Sequence, residues 1–253
     1  MAETVKLRGH PIIKEHHLIH GNFSGQSAAF MDAYHVWRRM GIAMLAVILF
    51  YGAQISLFFV AGQDRWNTLW MLCSIGLTAA ALLLLAAFQL RRCGGLRALI
   101  GHDVKRALKI YIPVILVIYL VCTGMDWGLG FGREDFMVKF FEGLSDAQKI
   151  LCVLMLVVFP PISEELLFRH FLMRLFPLDR REWQWIAVLF TSALFMFVHL
   201  QYEHWPTLLL IGSLGLAMAI ARIQTGGILV PVIMHGCSEV IGLSADWVMG
   251  QVI

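Results

Sequence analysis

Long, nearly uninterrupted apolar runs alternate with short polar stretches along this chain. Runs approaching the roughly 17–25 residues needed to cross a bilayer fall at about 41–61, 68–90, 109–124, 150–175, 183–200, 206–221 and 228–249. Continuous apolarity of this length predicts helices buried on all sides. The strict in-out alternation of a membrane β-barrel is missing. The pattern therefore predicts an all-α protein, a polytopic transmembrane bundle of seven spans. An eighth helical segment is expected if 132–142 (GREDFMVKFFE) dips into the interface as an amphipathic helix. Three regions follow: a polar tail at 1–38, scaffold helices at 39–145 and a site-bearing core at 146–253.

Composition agrees. The chain is 59% hydrophobic, its mean hydropathy is +0.73, and a soluble domain of this size has neither property. The formal charge of +3 sits in the loops and gives no reason to expect nucleic acid as a partner. Of the Lys and Arg residues, fifteen fall on the side of the N-terminal tail and four on the other, with Arg169 left inside a span. The positive-inside rule then predicts a cytoplasmic N-terminus. Cys73, Cys93, Cys122, Cys152 and Cys237 form no CxxC pair and are expected to be free thiols. His10, His16, His17 and His20 are irregularly spaced in the tail and read as a solvated segment. The N-terminus lacks the basic-then-apolar order of a cleaved signal peptide, so the first span is expected to serve for targeting.

Ionisable residues inside the apolar runs carry the chemistry. Glu164 and Glu165 lie in LCVLMLVVFPPISEELLFRHFLMRLF, and a carboxylate at mid-membrane costs roughly 2.5–3.5 kcal/mol on insertion scales. Residues four apart share a helix face, so Glu165 and Arg169 can pair. Phe168 occupies the corresponding position for Glu164. That leaves Glu164 as the candidate base and Glu165–Arg169 as a structural brace. A helix start after Pro160-Pro161 would also favour acids there. The next site-bearing runs carry His199 and His235, the latter with Glu239 four residues on.

EExxxR in a span, FxxxH from Phe195 to His199, and His235 with an acid at +4 together resemble the CPBP family. These are the CAAX-prenyl proteases and bacteriocin-processing-like intramembrane endopeptidases. The resemblance runs over about residues 150–245. It implies that Glu164 and His199 activate a water, and that His235 and the residue at Glu239 stabilise the oxyanion. It also implies an integral protein of the bacterial inner (plasma) membrane acting on a membrane-associated peptide or protein. Two positions depart from the family pattern. Glu239 stands where Asn or Asp is usual, and His170 follows the motif arginine where glycine is common. To donate to an oxyanion, Glu239 would have to be protonated. The other readings are an ionised partner of a positive His235, or a zinc ligand.

The expected activity is endopeptidase hydrolysis of a peptide bond near the membrane surface, with no metal. Glu164, His199 and His235 are also a His₂Glu set able to hold zinc, although no HExxH supports it. Two other function classes fit less of the sequence. A non-catalytic immunity or scaffold protein would not require all three residues, and a proton-coupled transporter would be expected to show repeated halves. One tension remains within this reading. On straight helices Glu164 and His235 lie roughly 10 Å from the cytoplasmic ends of their spans, and His199 nearer ~20–24 Å.

Overall fold

The computed structural model describes residues 35–252. Within them the chain is entirely helical: α1 (Val36–Ala61), α2 (Thr68–Leu90), α3 (Val104–Gly128), α4 (Asp135–Phe140), α5 (Asp146–Glu165), α6 (Arg181–Phe197), α7 (Trp205–Thr225) and α8 (Leu229–Val252). Seven long helices stand where the apolar runs are, and the short α4 falls within the amphipathic segment. The tail histidines and Lys6, Arg8 and Lys14 lie outside the described residues. α1, α2, α3, α7 and the α5 stretch Asp146–Leu175 are long and apolar enough to cross a membrane. Large apolar side chains such as Leu84, Leu120 and Phe59 point outward, as lipid-facing positions do. The chain is an integral membrane protein.

Local chemistry sets the helix ends. Asn67 accepts the Trp70 N–H at the start of α2. Ser145 and Gln148 form a reciprocal capping box at the start of α5. Beyond Glu165 the helix widens into a π-helical turn, Leu166–Leu172, every residue of which is buried. π turns of this kind recur at functional sites. All five cysteines are free; Cys122 and Cys152 are buried, whereas Cys73 is exposed.

Two packed clusters hold the site in place. In one, Leu166–Phe168, Phe171 and Leu172 pack against Ala43 and Ala46 of α1, Leu82, Ala86 and Leu90 of α2, and Phe195 of α6. In the other, Ala107, Tyr111 and Ile115 of α3 meet Leu214, Met218 and Ala221 of α7 and Val230 and Met234 of α8. His170, the departure from the family pattern, is fully buried and its Nε2 lies 2.9 Å from Gln89 Oε1. It joins the π turn to α2.

The start of α8 is fixed by a tight backbone crossing. His102 N donates to Thr225 O (2.8 Å) and Ile228 N to Leu99 O (2.7 Å). A Cβ on Gly227 would overlap the backbone of Ile100 and Gly101. Gly101 itself has φ +77°, a conformation that favours glycine. Gly227→Ala should therefore cost at least about 1–3 kcal/mol and lower the thermal unfolding midpoint of the detergent-solubilised protein by several degrees. An unchanged midpoint would contradict the crossing.

Candidate active site

Pro160 and Pro161 lie inside α5. Proline has no N–H, so Pro161 cannot bond the carbonyl four residues back, that of Val157. α8 approaches at this carbonyl: a Cβ on Gly236 would lie 3.1 Å from Val157 O. Glycine at 236 allows the close approach, and the neighbouring His235 is thereby set against the two glutamates.

Glu165 and Arg169 are both fully buried, and Arg169 Nη1 donates to Glu165 Oε1 at 3.0 Å. The expected brace is present, but it is only part of the arrangement. The same Oε1 is 3.1 Å from His235 Nδ1, so Glu165 also orients the α8 histidine. Arg169 Nη2 donates to Gly215 O of α7 (3.1 Å), and Arg222 Nε donates to Arg169 O (3.0 Å). The Arg169 guanidinium lies over the Phe195 ring, 4.4 Å from its centroid. One buried ion pair thus joins α5, α6, α7 and α8.

Above this pair, Glu164, His199 and His235 come together. Glu164 Oε2 lies 3.9 Å from His199 Nε2 and 4.0 Å from His235 Nε2. These separations are too long for direct hydrogen bonds. Glu164 Oε2 is buried without a hydrogen-bond partner. His199 Nδ1 is 2.7 Å from Phe195 O; a carbonyl only accepts, so Nδ1 carries a proton and Nε2 faces the site. His235 Nε2 is 3.4 Å from Glu239 Oε1.

The depth conflict has a structural answer. α6 has 17 residues and ends at Phe197, about 25 Å of helix, and His199 lies in the turn beyond it. His199 meets Glu164 from this turn rather than from within a straight helix.

A cavity of about 310 Å³ contains Glu164, His199, His235 and Glu239. Its walls draw on the front half of the chain as well as the back. Leu72 and Ile75 of α2 and Phe136 and Phe140 of α4 form an apolar side. Asp126, Arg133, Glu134, His204 and Asp246 form a charged side. His204 Nδ1 lies 3.4 Å from Glu134 Oε1 and 3.9 Å from Asp126 Oδ1. Sequence reading missed Asp126, Glu134 and His204 because they lie at loops and helix ends, where polar residues are ordinary. The apolar side chains following Glu134 were the one available hint.

The separations from Glu164 to the two histidines are wider than those of a formed tetrahedral zinc site. Tetrahedral bonds of about 2.0–2.1 Å put neighbouring ligand atoms about 3.3–3.4 Å apart, closer than the separations from Glu164 to either histidine. Among the described residues, no three His, Cys, Asp or Glu side chains are grouped to hold a metal.

Comparison with known proteins bears on the segment that holds these residues. Residues 146–241 match the family described as Rce1-like, type II CAAX prenyl endopeptidase. Over this segment the chain is similar to that family of CAAX-type proteases. It is also 34% identical over 133 residues to an Escherichia coli protein described as an uncharacterized 24.3 kDa protein. The alignment takes in 52% of this chain and 61% of that relative. The chain thus spans about three fifths of the relative's length. No solved structure matches.

Arg169→Ala would leave Glu165 buried without its guanidinium partner, a change that costs about 3–5 kcal/mol. The expected result is a sharp fall in the yield of monodisperse protein by size-exclusion chromatography. Wild-type yield and thermal stability would contradict the brace.

Proposed function

We propose that this protein is an intramembrane endopeptidase that hydrolyses a peptide bond by water activated between Glu164 and His199. The carrying observation is the buried, unpartnered Glu164 Oε2 standing 3.9 Å from His199 Nε2. Two hydrogen bonds of about 2.8 Å meeting at about a right angle span that gap, which is room for one water. The water gives one O–H to Glu164 and the other to His199 Nε2, and its lone pair is left for the substrate carbonyl. Glu164 takes the proton as the C–O bond forms, then passes it to the amine nitrogen as the C–N bond breaks.

His235 serves the oxyanion. Its Nδ1–H is committed to Glu165, so an N–H for the oxyanion must come from Nε2. The ring then carries both protons, and Glu239 Oε1, 3.4 Å from Nε2, faces it in the resting site. This reading replaces the expected protonated Glu239 with an ionised partner of a positive His235. Residues 146–253 act as the catalytic core and 39–145 as its scaffold, the latter also supplying part of the cavity wall. The substrate is a membrane-associated peptide or protein, and a prenylated C-terminus is the first to test because of the family described above. The setting is the bacterial plasma membrane, with the N-terminus cytoplasmic. No step uses a metal.

A quenched fluorescent peptide ending in a farnesylated CAAX box, presented in detergent micelles, provides the assay. Glu164→Gln, His199→Ala and His235→Ala should each remove cleavage while the protein remains folded. Glu239→Gln should lower kcat on the order of a hundredfold, because the imidazolium loses the carboxylate facing its Nε2 and keeps only Glu165. Cleavage should survive zinc chelation. Wild-type activity in Glu164→Gln would eliminate the general-base role. Full activity in Glu239→Gln would restore the protonated reading, and loss on chelation with recovery on added zinc would replace the metal-free mechanism.

A further inference from the structure

The cavity is closed on one side by residues outside the family-matching segment. Gly132, Arg133 and Glu134, between α3 and α4, line it, whereas the match begins at residue 146. Glu134 is buried, and burying a carboxylate costs less when its oxygens are hydrogen-bonded. Its Oε2 accepts the Glu203 N–H (3.0 Å) and its Oε1 the His204 N–H (3.1 Å). These amides lead into α7, whose N-cap residue His204 makes no side-chain cap. Glu134 therefore does from another element what an N-cap side chain does locally, and its charge suits a helix N-terminus.

The backbone that Glu134 grips belongs to the turn carrying His199. Within that turn His199 N donates to Met196 O (3.0 Å) and Tyr202 N to His199 O (3.2 Å). Two ring contacts from the same segment reinforce the grip. Phe131 stacks on His204 at 4.6 Å, and Phe136 meets Tyr202 edge-on at 5.4 Å. Arg133 pairs through two hydrogen bonds with Asp246 of α8 (2.9 and 2.5 Å), which ties the segment to the helix bearing His235 and Glu239.

We infer that Glu134 is a positioning residue for His199: by holding the Glu203 and His204 amides it fixes the turn that sets His199 Nε2 against Glu164. Glu134 touches none of the reacting atoms in the proposed mechanism. The catalytic consequence rests on the reading of Glu164 and His199 given above; the positional claim does not.

The first readout needs no variant. Amides at the start of a helix exchange quickly unless they are held, so slow hydrogen exchange at Glu203 and His204 in the wild-type protein is expected. The second is the rate at which diethyl pyrocarbonate modifies His199, followed by peptide mass spectrometry with buried His170 as the internal control. Glu134→Ala should raise the His199 rate several-fold and leave His170 unchanged. Glu134→Gln keeps one acceptor and should fall between. With the farnesylated peptide, Glu134→Ala should lower kcat by about ten- to a hundredfold, the scale of a small misplacement, with KM little changed. Fast exchange at both amides in the wild type would overturn the inference, as would unchanged His199 labelling in Glu134→Ala. A rise in KM alone would do the same. If Glu134→Ala does not fold, exchange and Glu134→Gln decide. If the wild type cleaves no peptide while His199 labelling behaves as stated, the positional inference stands and the endopeptidase reading falls.

Discussion

A carboxylate survives in the interior of an apolar bundle only where its charge is met in place, and Glu165 is where this protein satisfies that condition. Its Oε1 faces both Arg169 Nη1 and His235 Nδ1. Charge compensation and histidine orientation are therefore one interaction. Arg169 in turn reaches the Gly215 carbonyl, packs over Phe195, and has its own carbonyl capped by Arg222. Breaking such a buried pair by removing one partner costs more than the pair contributes over an apolar replacement. It is a constraint on geometry more than a source of stability, and it draws every site-bearing helix to one level.

The two adjacent glutamates divide their work through helical geometry. Successive residues on a helix point about 100° apart, so Glu165 faces the buried pair while Glu164 faces the cavity. The first gives its Oε1 to Arg169 and His235. The second holds its unpartnered Oε2 3.9 and 4.0 Å from the two site histidines. His199 and His235 are likewise distinguished by what holds their Nδ1, a carbonyl in one case and a carboxylate in the other. A carbonyl holds the Nδ1 proton of His199 and turns Nε2 to the site; a carboxylate orients the His235 ring from below. In the proposed mechanism one histidine serves the nucleophilic water and the other the developing oxyanion.

Local periodicity was the legible part of the sequence. The seven long helices follow directly from the apolar runs. The Glu165–Arg169 pair and the shared face of His235 and Glu239 follow from spacing of four. What could not be read depends on contacts between distant segments. The second partner of Glu165 exists because Pro161 frees a carbonyl and Gly236 lets α8 approach it. The level of His199 depends on α6 ending at Phe197, a boundary that the apolar run does not mark. Glu134 has an ordinary loop context in sequence, and its burial arises only when the 199–204 turn folds onto it. For the same reason the split into a scaffold half and a site half does not hold for the cavity wall.

The central claim is that Glu164 removes a proton from water so that a membrane-associated polypeptide is cut. Its most direct measurement is a comparison of new polypeptide termini, by quantitative terminal-peptide mass spectrometry, in membranes from cells making the wild-type protein or Glu164→Ala at equal levels. The account predicts at least one substrate whose truncated form is present with the wild type and absent with the variant, while its full-length form accumulates. Identical terminal profiles under conditions where both proteins are folded and inserted would contradict it.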